Sequence, residues 1–113
     1  MTSLITPERL GELLKLGNRP ILIDVREPVE FKQGHIVGAR NVPLTALSDV
    51  IADYDPNDEV VFVCQSGLRS LQAASFWNSL GYRKAMNLEG GMEAWAAARQ
   101  GRNGQSSGEA PRL

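Results

Sequence analysis

Cys64 is the one cysteine in this 113-residue sequence, and its type and position make it the first candidate for chemistry. It directly follows the apolar run Val60–Val63, and a helical pattern begins a few residues later. The amide groups of such a strand-to-helix loop, together with the N-terminus of the helix, can stabilise a sulfur anion. Arg69 would add a cation to the same loop. The sequence therefore predicts a thiolate nucleophile whose pKa lies below that of a free cysteine.

The loop after the cysteine has the sequence QSGLR and supplies the amides that this prediction requires. Its glycine gives access to backbone conformations that other residues resist. The alternative is an unreactive structural cysteine at the end of a core strand, because free cysteines are among the most buried residues in proteins. The candidate loop residues are Gln65, Ser66, Gly67, Leu68 and Arg69.

His35 is the one histidine, and the sequence marks out no triad partner for it. We expect a structural residue, hydrogen-bonded where the chain turns into a strand, rather than a general base. A single cysteine cannot form an intramolecular disulfide, and with a single histidine a zinc site would lack most of its usual ligands. The sequence therefore predicts neither a metal nor a cofactor.

Asp24 and Arg26 end a second apolar run, on the side of the predicted sheet that holds the candidate loop. We expect them to form an ion pair that braces the loop; the alternative is that they are only polar residues at a strand terminus. Glu27 and Glu30 are expected to be solvated helix charges, with Lys32 or Arg26 as candidate partners.

Trp77 and Trp95 fall at the helical spacing of core positions, so core packing is expected for both. A pocket wall formed by Trp95 is the less favoured alternative. Gly90 and Gly91 predict a tight turn and not a phosphate-binding loop, because no P-loop or dinucleotide pattern surrounds them.

Strand-like and helix-like patterns alternate along the chain, which predicts an α/β fold with a central parallel sheet of about five short strands and helices on both faces. In such a sheet, ligands bind beyond the carboxyl ends of the strands. A domain over residues 1–100 and a disordered tail over 101–113 are expected, since the tail has almost nothing to bury. The predicted strands are 4–5, 21–25, 39–42, 60–63 and 85–88, and the predicted helices are 7–16, 27–33, 45–52, 70–80 and 92–99.

Charge and hydropathy exclude several classes of function. Twelve basic and thirteen acidic residues leave a net charge of -1, which disfavours a nucleic-acid surface and a general attraction to anionic membranes. The longest apolar runs are far too short to span a bilayer. A lone free thiol fits a reducing, cytoplasmic compartment best, and we expect a monomer without nucleic-acid or membrane partners.

Three segments of the sequence resemble, in family order, the signature segments of the rhodanese family of sulfurtransferases. In chain order they are DVREPVEFKQGHIVGARNVP from Asp24, CQSGLRS from Cys64 and LEGGMEAW from Leu88. The resemblance covers about residues 4–99. It implies a rhodanese-like three-layer α/β/α domain in which Cys64 matches the family's catalytic cysteine and carries a sulfane sulfur as a persulfide.

The resemblance also implies a ping-pong reaction. The cysteine thiolate takes the outer sulfur of a small donor such as thiosulfate, loop amides hold that sulfur, and a thiophilic acceptor such as cyanide or a thiol removes it. Gln65 and Ser66 are uncharged where some thiosulfate-using relatives have basic residues, so weak binding of thiosulfate is expected. Other candidate donors are a persulfidated protein, 3-mercaptopyruvate and glutathione persulfide.

Three alternatives remain open. The first is a sulfur carrier, loaded by a partner protein, that serves the thiolation of tRNA, thiamine or molybdenum cofactor precursors. The second is a purely regulatory binding domain, which is disfavoured because such domains often lack the loop cysteine. The third is a phosphatase or arsenate reductase. The spacing Cys-x4-Arg disfavours it, since related phosphatases have one more residue in a loop that admits a tetrahedral oxyanion.

Overall fold

The computed structural model describes residues 2–106, with side chains from 2 to 99. Five parallel strands form one sheet: β1 (Ser3–Ile5), β2 (Ile21–Asp24), β3 (Arg40–Asn41), β4 (Val60–Val63) and β5 (Ala85–Leu88). Their spatial order is β1-β5-β4-β2-β3, so β4 lies at the centre of the sheet. All four β4 residues are buried, as expected for a parallel strand covered on both faces.

Five helices follow or precede these strands: α1 (Pro7–Lys15), α2 (Pro28–Lys32), α3 (Leu47–Val50), α4 (Leu68–Ser79) and α5 (Gly91–Ser106). The helix α1 begins as its sequence predicts, because the Thr6 side chain accepts a hydrogen bond from the Arg9 amide and Pro7 occupies the first turn. The predicted three-layer α/β fold is confirmed.

The two faces of the sheet bury separate apolar clusters. Phe62 of β4 contacts the layer that contains α3 and α4, where Trp77 packs edge-to-face on the Phe62 ring at 5.1 Å between centroids. Val61 and Val63 point to the opposite face, where they share a cluster with Trp95 of α5. The alternation of neighbouring β4 side chains between these clusters fixes the register of the central strand.

Three helices differ from the prediction by two residues or more at one or both ends. The helix expected over 45–52 is a short α3 between two 3-10 turns, Leu44–Ala46 and Ile51–Asp53, because partly buried side chains of this segment pack onto the sheet. The helix α4 begins at Leu68 instead of residue 70. The helix α5 continues to Ser106 instead of ending near residue 99.

The domain boundary at residue 100 stays a prediction. Residues 101–106 belong to α5, whereas residues 107–113 of the expected tail lie outside the described residues. Within residues 2–106, none of the helices combines the length and the apolar character needed to cross a bilayer.

Candidate active site

Cys64 directly follows the central strand β4, and its side chain is completely buried. Three polar groups surround its sulfur. The Gly67 amide donates to Sγ at 3.1 Å, the Ser70 amide donates at 3.3 Å, and the Ser70 hydroxyl lies at 3.2 Å. The chain therefore wraps around the sulfur between the end of β4 and the first turn of α4.

Gly67 makes this close wrapping possible. Its φ of +103° is a left-handed conformation that favours glycine, and it is the residue from which α4 starts. A Cβ at this position would also come within 3.3 Å of the Gly90 backbone nitrogen. Because the turn is so tight, α4 begins inside the predicted loop, and Leu68 and Arg69 belong to its first turn.

The environment of Cys64 acts on the thiol pKa in two directions. Burial raises the pKa, because it disfavours the charged form. Hydrogen bonds from the Ser70 hydroxyl and from the amides of Ser70, Gly67 and Ser66 lower it, and together they outweigh burial. The net pKa of Cys64 lies below its ordinary value, which is the direction that a nucleophilic thiolate needs.

A buried polar pair, Ser70 and Asn87, supports the sulfur from behind. The Ser70 hydroxyl donates to Asn87 Oδ1 at 2.5 Å, and Asn87 Nδ2 donates to the Gly67 carbonyl at 3.2 Å. A hydroxyl has one proton, so Ser70 donates either to Asn87 or to Sγ, and ionisation of Cys64 favours donation to the sulfur. Neither residue was predicted from the sequence as part of the site. The signal that could have found Asn87 is its polar side chain within the buried strand β5.

Arg69 pairs with Glu30 and donates no hydrogen bond to the sulfur. Its Nη1 and Nη2 atoms donate to the two Glu30 carboxylate oxygens at 2.8 and 2.9 Å. The hydrogen bonds from Arg69 lower the pKa of Glu30 to about 2. The expected partners of Glu30, Lys32 or Arg26, are thus incorrect. The cation predicted to face the thiolate is instead engaged by a carboxylate of α2.

The predicted ion pair between Asp24 and Arg26 is present and buried. Arg26 Nε donates to Asp24 Oδ1 at 3.0 Å, and Nη2 donates to Oδ2 at 2.8 Å. The same guanidinium contacts the Gly34 carbonyl at 2.7 Å and reaches the loop through a long hydrogen bond, 3.4 Å, to Gln65 Oε1. This geometry connects β2 to the Cys64 loop, and the bracing role of the pair stays a prediction.

The N-terminus of α5 holds the first residues of the loop. The Met92 amide donates to the Cys64 carbonyl at 2.8 Å, and the Glu93 amide donates to the Gln65 carbonyl at 3.0 Å. Gly91 has a φ of +61°, and a Cβ there would overlap the Cys64 and Gln65 backbones. The sequence predicted a tight turn at the two glycines but not their contact with the loop.

A groove next to the loop is formed by residues from several segments. Trp95 is one of its walls, which was the less favoured expectation for this residue. His35 also lines the groove, but its ring stacks on Phe31 at 3.7 Å and its Nδ1 atom lies 2.9 Å from the Phe31 carbonyl. These contacts are those of a structural histidine. The groove lining consists of Arg26, Gln33, Gly34, His35, Gln65, Met92, Trp95, Ala96 and Arg99.

The other loop side chains, Gln65, Ser66 and Leu68, have no contact with Sγ within hydrogen-bonding distance, and Leu68 is largely exposed.

In the part of the chain that the structure describes, no group of three or more histidine, cysteine, aspartate or glutamate side chains could hold a metal ion. The chemistry that the surroundings of Cys64 support is nucleophilic attack by its sulfur, followed by amide stabilisation of the group that the sulfur then carries.

Comparisons with known proteins find relatives that match most of this chain. The family described as the rhodanese-like domain matches residues 6–98. The probable adenylyltransferase/sulfurtransferase MoeZ of Mycobacterium tuberculosis is 36% identical over 100 residues, which are 87% of this chain but 26% of MoeZ. The chain thus spans about a quarter of that relative.

Two further relatives match over most of their length. The thiosulfate sulfurtransferase GlpE of Pseudomonas aeruginosa is 34% identical over 91 residues, which cover 80% of this chain and 81% of GlpE. The solved structure of the human single-domain sulfurtransferase TSTD1 superimposes with a TM-score of 0.78 at 33% identity, covering 86% of this chain and 97% of TSTD1.

Proposed function

This chain belongs to the rhodanese-like domain family, and from that premise we propose that it transfers a sulfane sulfur from a donor such as thiosulfate to a thiophilic acceptor through a persulfide on Cys64. One observation carries the proposal. Two backbone amides and a hydroxyl converge on the buried sulfur, so the fold stabilises an anionic sulfur at this position.

The reaction has two balanced steps. The Cys64 thiolate forms a bond to the outer sulfur of thiosulfate while the S–S bond of the donor breaks, and the electron pair leaves with sulfite. Cyanide or an acceptor thiolate then attacks the outer sulfur of the persulfide, and the thiolate is released. The loop amides of Gln65, Ser66, Gly67, Leu68 and Arg69 are the groups that we assign to holding the transferred sulfur.

A sulfur carrier loaded by a partner protein is the second candidate, and the charges around the loop favour it. Arg69 is paired with Glu30 and Arg26 with Asp24, so these two guanidinium groups offer a dianion such as thiosulfate little uncompensated positive charge. MoeZ combines sulfurtransferase with adenylyltransferase in its name, which fits a domain that works inside a larger system. Either role relies on a lone thiol, and we place both in a reducing, cytoplasmic compartment.

The replacement Cys64→Ser tests the nucleophile. We expect the wild-type protein to form thiocyanate from thiosulfate and cyanide, and to gain the mass of one sulfur atom when it is treated with thiosulfate alone. Both signals should disappear in the Cys64→Ser protein, because serine cannot carry a persulfide. Circular dichroism of the variant is the control for folding.

The donor dependence of the same assay separates the two candidates. Turnover that saturates with thiosulfate supports the small-molecule enzyme. Loading by a persulfidated protein, without loading by thiosulfate, supports the carrier. Thiocyanate formation that persists at wild-type rate in a folded Cys64→Ser protein would contradict both candidates, since each depends on this sulfur.

A further inference from the structure

The Glu30 carboxylate lies beside the candidate loop but has no part in the sulfur-transfer steps proposed above. It accepts two hydrogen bonds from Arg69, at 2.8 and 2.9 Å, in the geometry of a bidentate ion pair. The side chains of Glu30 and Arg69 are 30% and 36% exposed, so both charges act on molecules that approach the loop from solvent.

Two arginines of the loop or beside it are paired with carboxylates, and a third, Arg99, lines the adjacent groove and lies over the Trp95 ring. Arg69 is matched by Glu30, and the buried Arg26 is matched by Asp24. The two loop residues that follow the cysteine carry no charge. The pKa of Glu30 is lowered to about 2 by its hydrogen bonds from Arg69, so Glu30 is ionised at every pH at which a thiolate exists.

The number of negative charges in the loading step depends on the donor. A cysteine thiolate and dianionic thiosulfate bring three negative charges together, and the products are a persulfide anion and sulfite. A thiosulfonate monoanion, such as methanethiosulfonate, transfers the same outer sulfur and releases a sulfinate, with two negative charges in total. A fixed carboxylate that is bound to the loop residue Arg69 therefore disfavours the first donor more than the second.

We propose, resting on the function proposed above, that Glu30 is a specificity-determining residue that selects against dianionic sulfur donors by compensating the charge of Arg69 at the Cys64 loop. Glu30 touches neither the reacting sulfur nor its amides, so it is a positioning residue and not a catalytic one. The discrimination comes from an unfavourable interaction with the wrong donor, which is a common source of specificity. The donor class that this loop favours has one negative charge or none.

The test compares kcat/KM for thiosulfate and for methanethiosulfonate, with cyanide as the acceptor, in wild-type and Glu30→Gln proteins. For a separation of about 6 Å between the Glu30 charge and a donor charge, Coulomb's law in a water-like dielectric gives about a threefold change for each donor charge. We therefore expect Glu30→Gln to raise kcat/KM about tenfold for thiosulfate and about threefold for methanethiosulfonate. The ratio of the two values should rise about threefold.

Glu12→Gln is the matched control, because it makes the same change in net charge on α1, where Glu12 contacts the exposed Arg9. Its donor ratio should stay at the wild-type value. A folded, active Glu30→Gln protein with an unchanged or lower donor ratio would overturn the proposal and leave the ion pair a purely structural role.

A second variant covers the case in which Glu30→Gln does not fold. Arg69→Gln leaves the Glu30 charge uncompensated, so kcat/KM should fall further for thiosulfate than for methanethiosulfonate. Equal falls for both donors would overturn the proposal.

Binding separates this inference from the proposed function. If wild-type protein transfers no sulfur from either donor, the proposed function fails, and thiosulfate binding is then measured by NMR titration of the Cys64→Ser protein with and without Glu30→Gln. Tighter binding in the double variant supports the role of Glu30 in excluding dianions. Equal binding rejects it.

Discussion

At the residue scale, the reactivity of Cys64 depends on how one hydroxyl proton is shared. The Ser70 hydroxyl is within hydrogen-bonding distance of both Sγ and Asn87 Oδ1, and it can donate to one of them at a time. Donation to the sulfur stabilises the thiolate, whereas donation to Asn87 accompanies the neutral thiol. The pair therefore gives a buried sulfur a polar partner in both protonation states, which explains how a completely buried cysteine keeps a lowered pKa.

The replacement Ser70→Ala tests this contribution. It removes a donor to the thiolate, and since that donor lowers the pKa of Cys64, its loss raises the pKa and moves the titration to higher pH. A net hydrogen-bond contribution of about 1 kcal/mol corresponds to a thiolate fraction about fivefold lower at pH values below the pKa. The ultraviolet absorbance of the single thiolate, measured against pH, gives the pKa directly.

Ser79→Ala is the matched control for this measurement. Ser79 lies on the same helix, but its hydroxyl donates to the Phe76 carbonyl and has no contact with the site. Its titration should coincide with that of the wild-type protein. Coincident curves for Ser70→Ala and Ser79→Ala would show that the hydroxyl of Ser70 does not set the pKa of Cys64.

At the element scale, the N-termini of two helices meet at the Cys64 loop. The first turn of α4 supplies an amide to the sulfur, and the first turn of α5 supplies amides to the carbonyls of Cys64 and Gln65. The loop is therefore held from both sides by donors that helices leave unpaired at their starts. This arrangement requires α5 to approach the loop backbone more closely than any side chain would allow at Gly91.

The replacement Gly91→Ala tests this close approach. The new Cβ would overlap the backbone of Cys64 and Gln65, and the φ of +61° is unfavourable for alanine. We expect α5 to shift away from the loop, with a loss of about 2–4 kcal/mol of unfolding free energy and at least about tenfold lower transfer activity. Denaturant unfolding and the thiocyanate assay measure the two effects.

Gly17→Ala controls for the backbone strain alone. Gly17 has a similar φ of +75°, but a Cβ there meets nothing within 4 Å. We expect a loss of about 1 kcal/mol and unchanged activity. If the two variants lose the same free energy and the same activity, the contact between Gly91 and the loop contributes nothing beyond strain.

At the scale of the whole molecule, the strand at each edge of the sheet is short. The edge strand β1 has three residues and the edge strand β3 has two. Short edges offer few free backbone groups to another chain, so edge-to-edge association is disfavoured. The four-residue, fully buried strand β4, which leads to the candidate site, is protected on both sides by neighbouring strands.

The expected oligomeric state follows from these edges. We predict that the 113-residue chain sediments at equilibrium as a monomer of 12.3 kDa over a wide range of concentration. A mass that rises with concentration towards twice this value would contradict the prediction and would point to an interface other than the short edges of the sheet.

The order of elements and the position of Cys64 could be predicted from the sequence, because both depend on local signals. The apolar run Val60–Val63 indicates a buried strand wherever it lies, and Pro7 and Gly17 mark helix ends through their own backbone preferences. Once that strand is assigned to a parallel sheet, a cysteine that directly follows it must lie at the carboxyl edge of the sheet.

Only the tertiary structure decided which groups meet at the sulfur and which carboxylate pairs with Arg69. Glu30 and Arg69 are 39 residues apart, and Ser70 and Asn87 are 17 apart, so no periodicity relates the members of either pair. Their contacts depend on which elements become neighbours, and hence on the strand order and on the packing of α2, α4 and β5. Sequence patterns report the preferences of a segment, whereas the partners of a charge or a hydroxyl are determined by the rest of the fold.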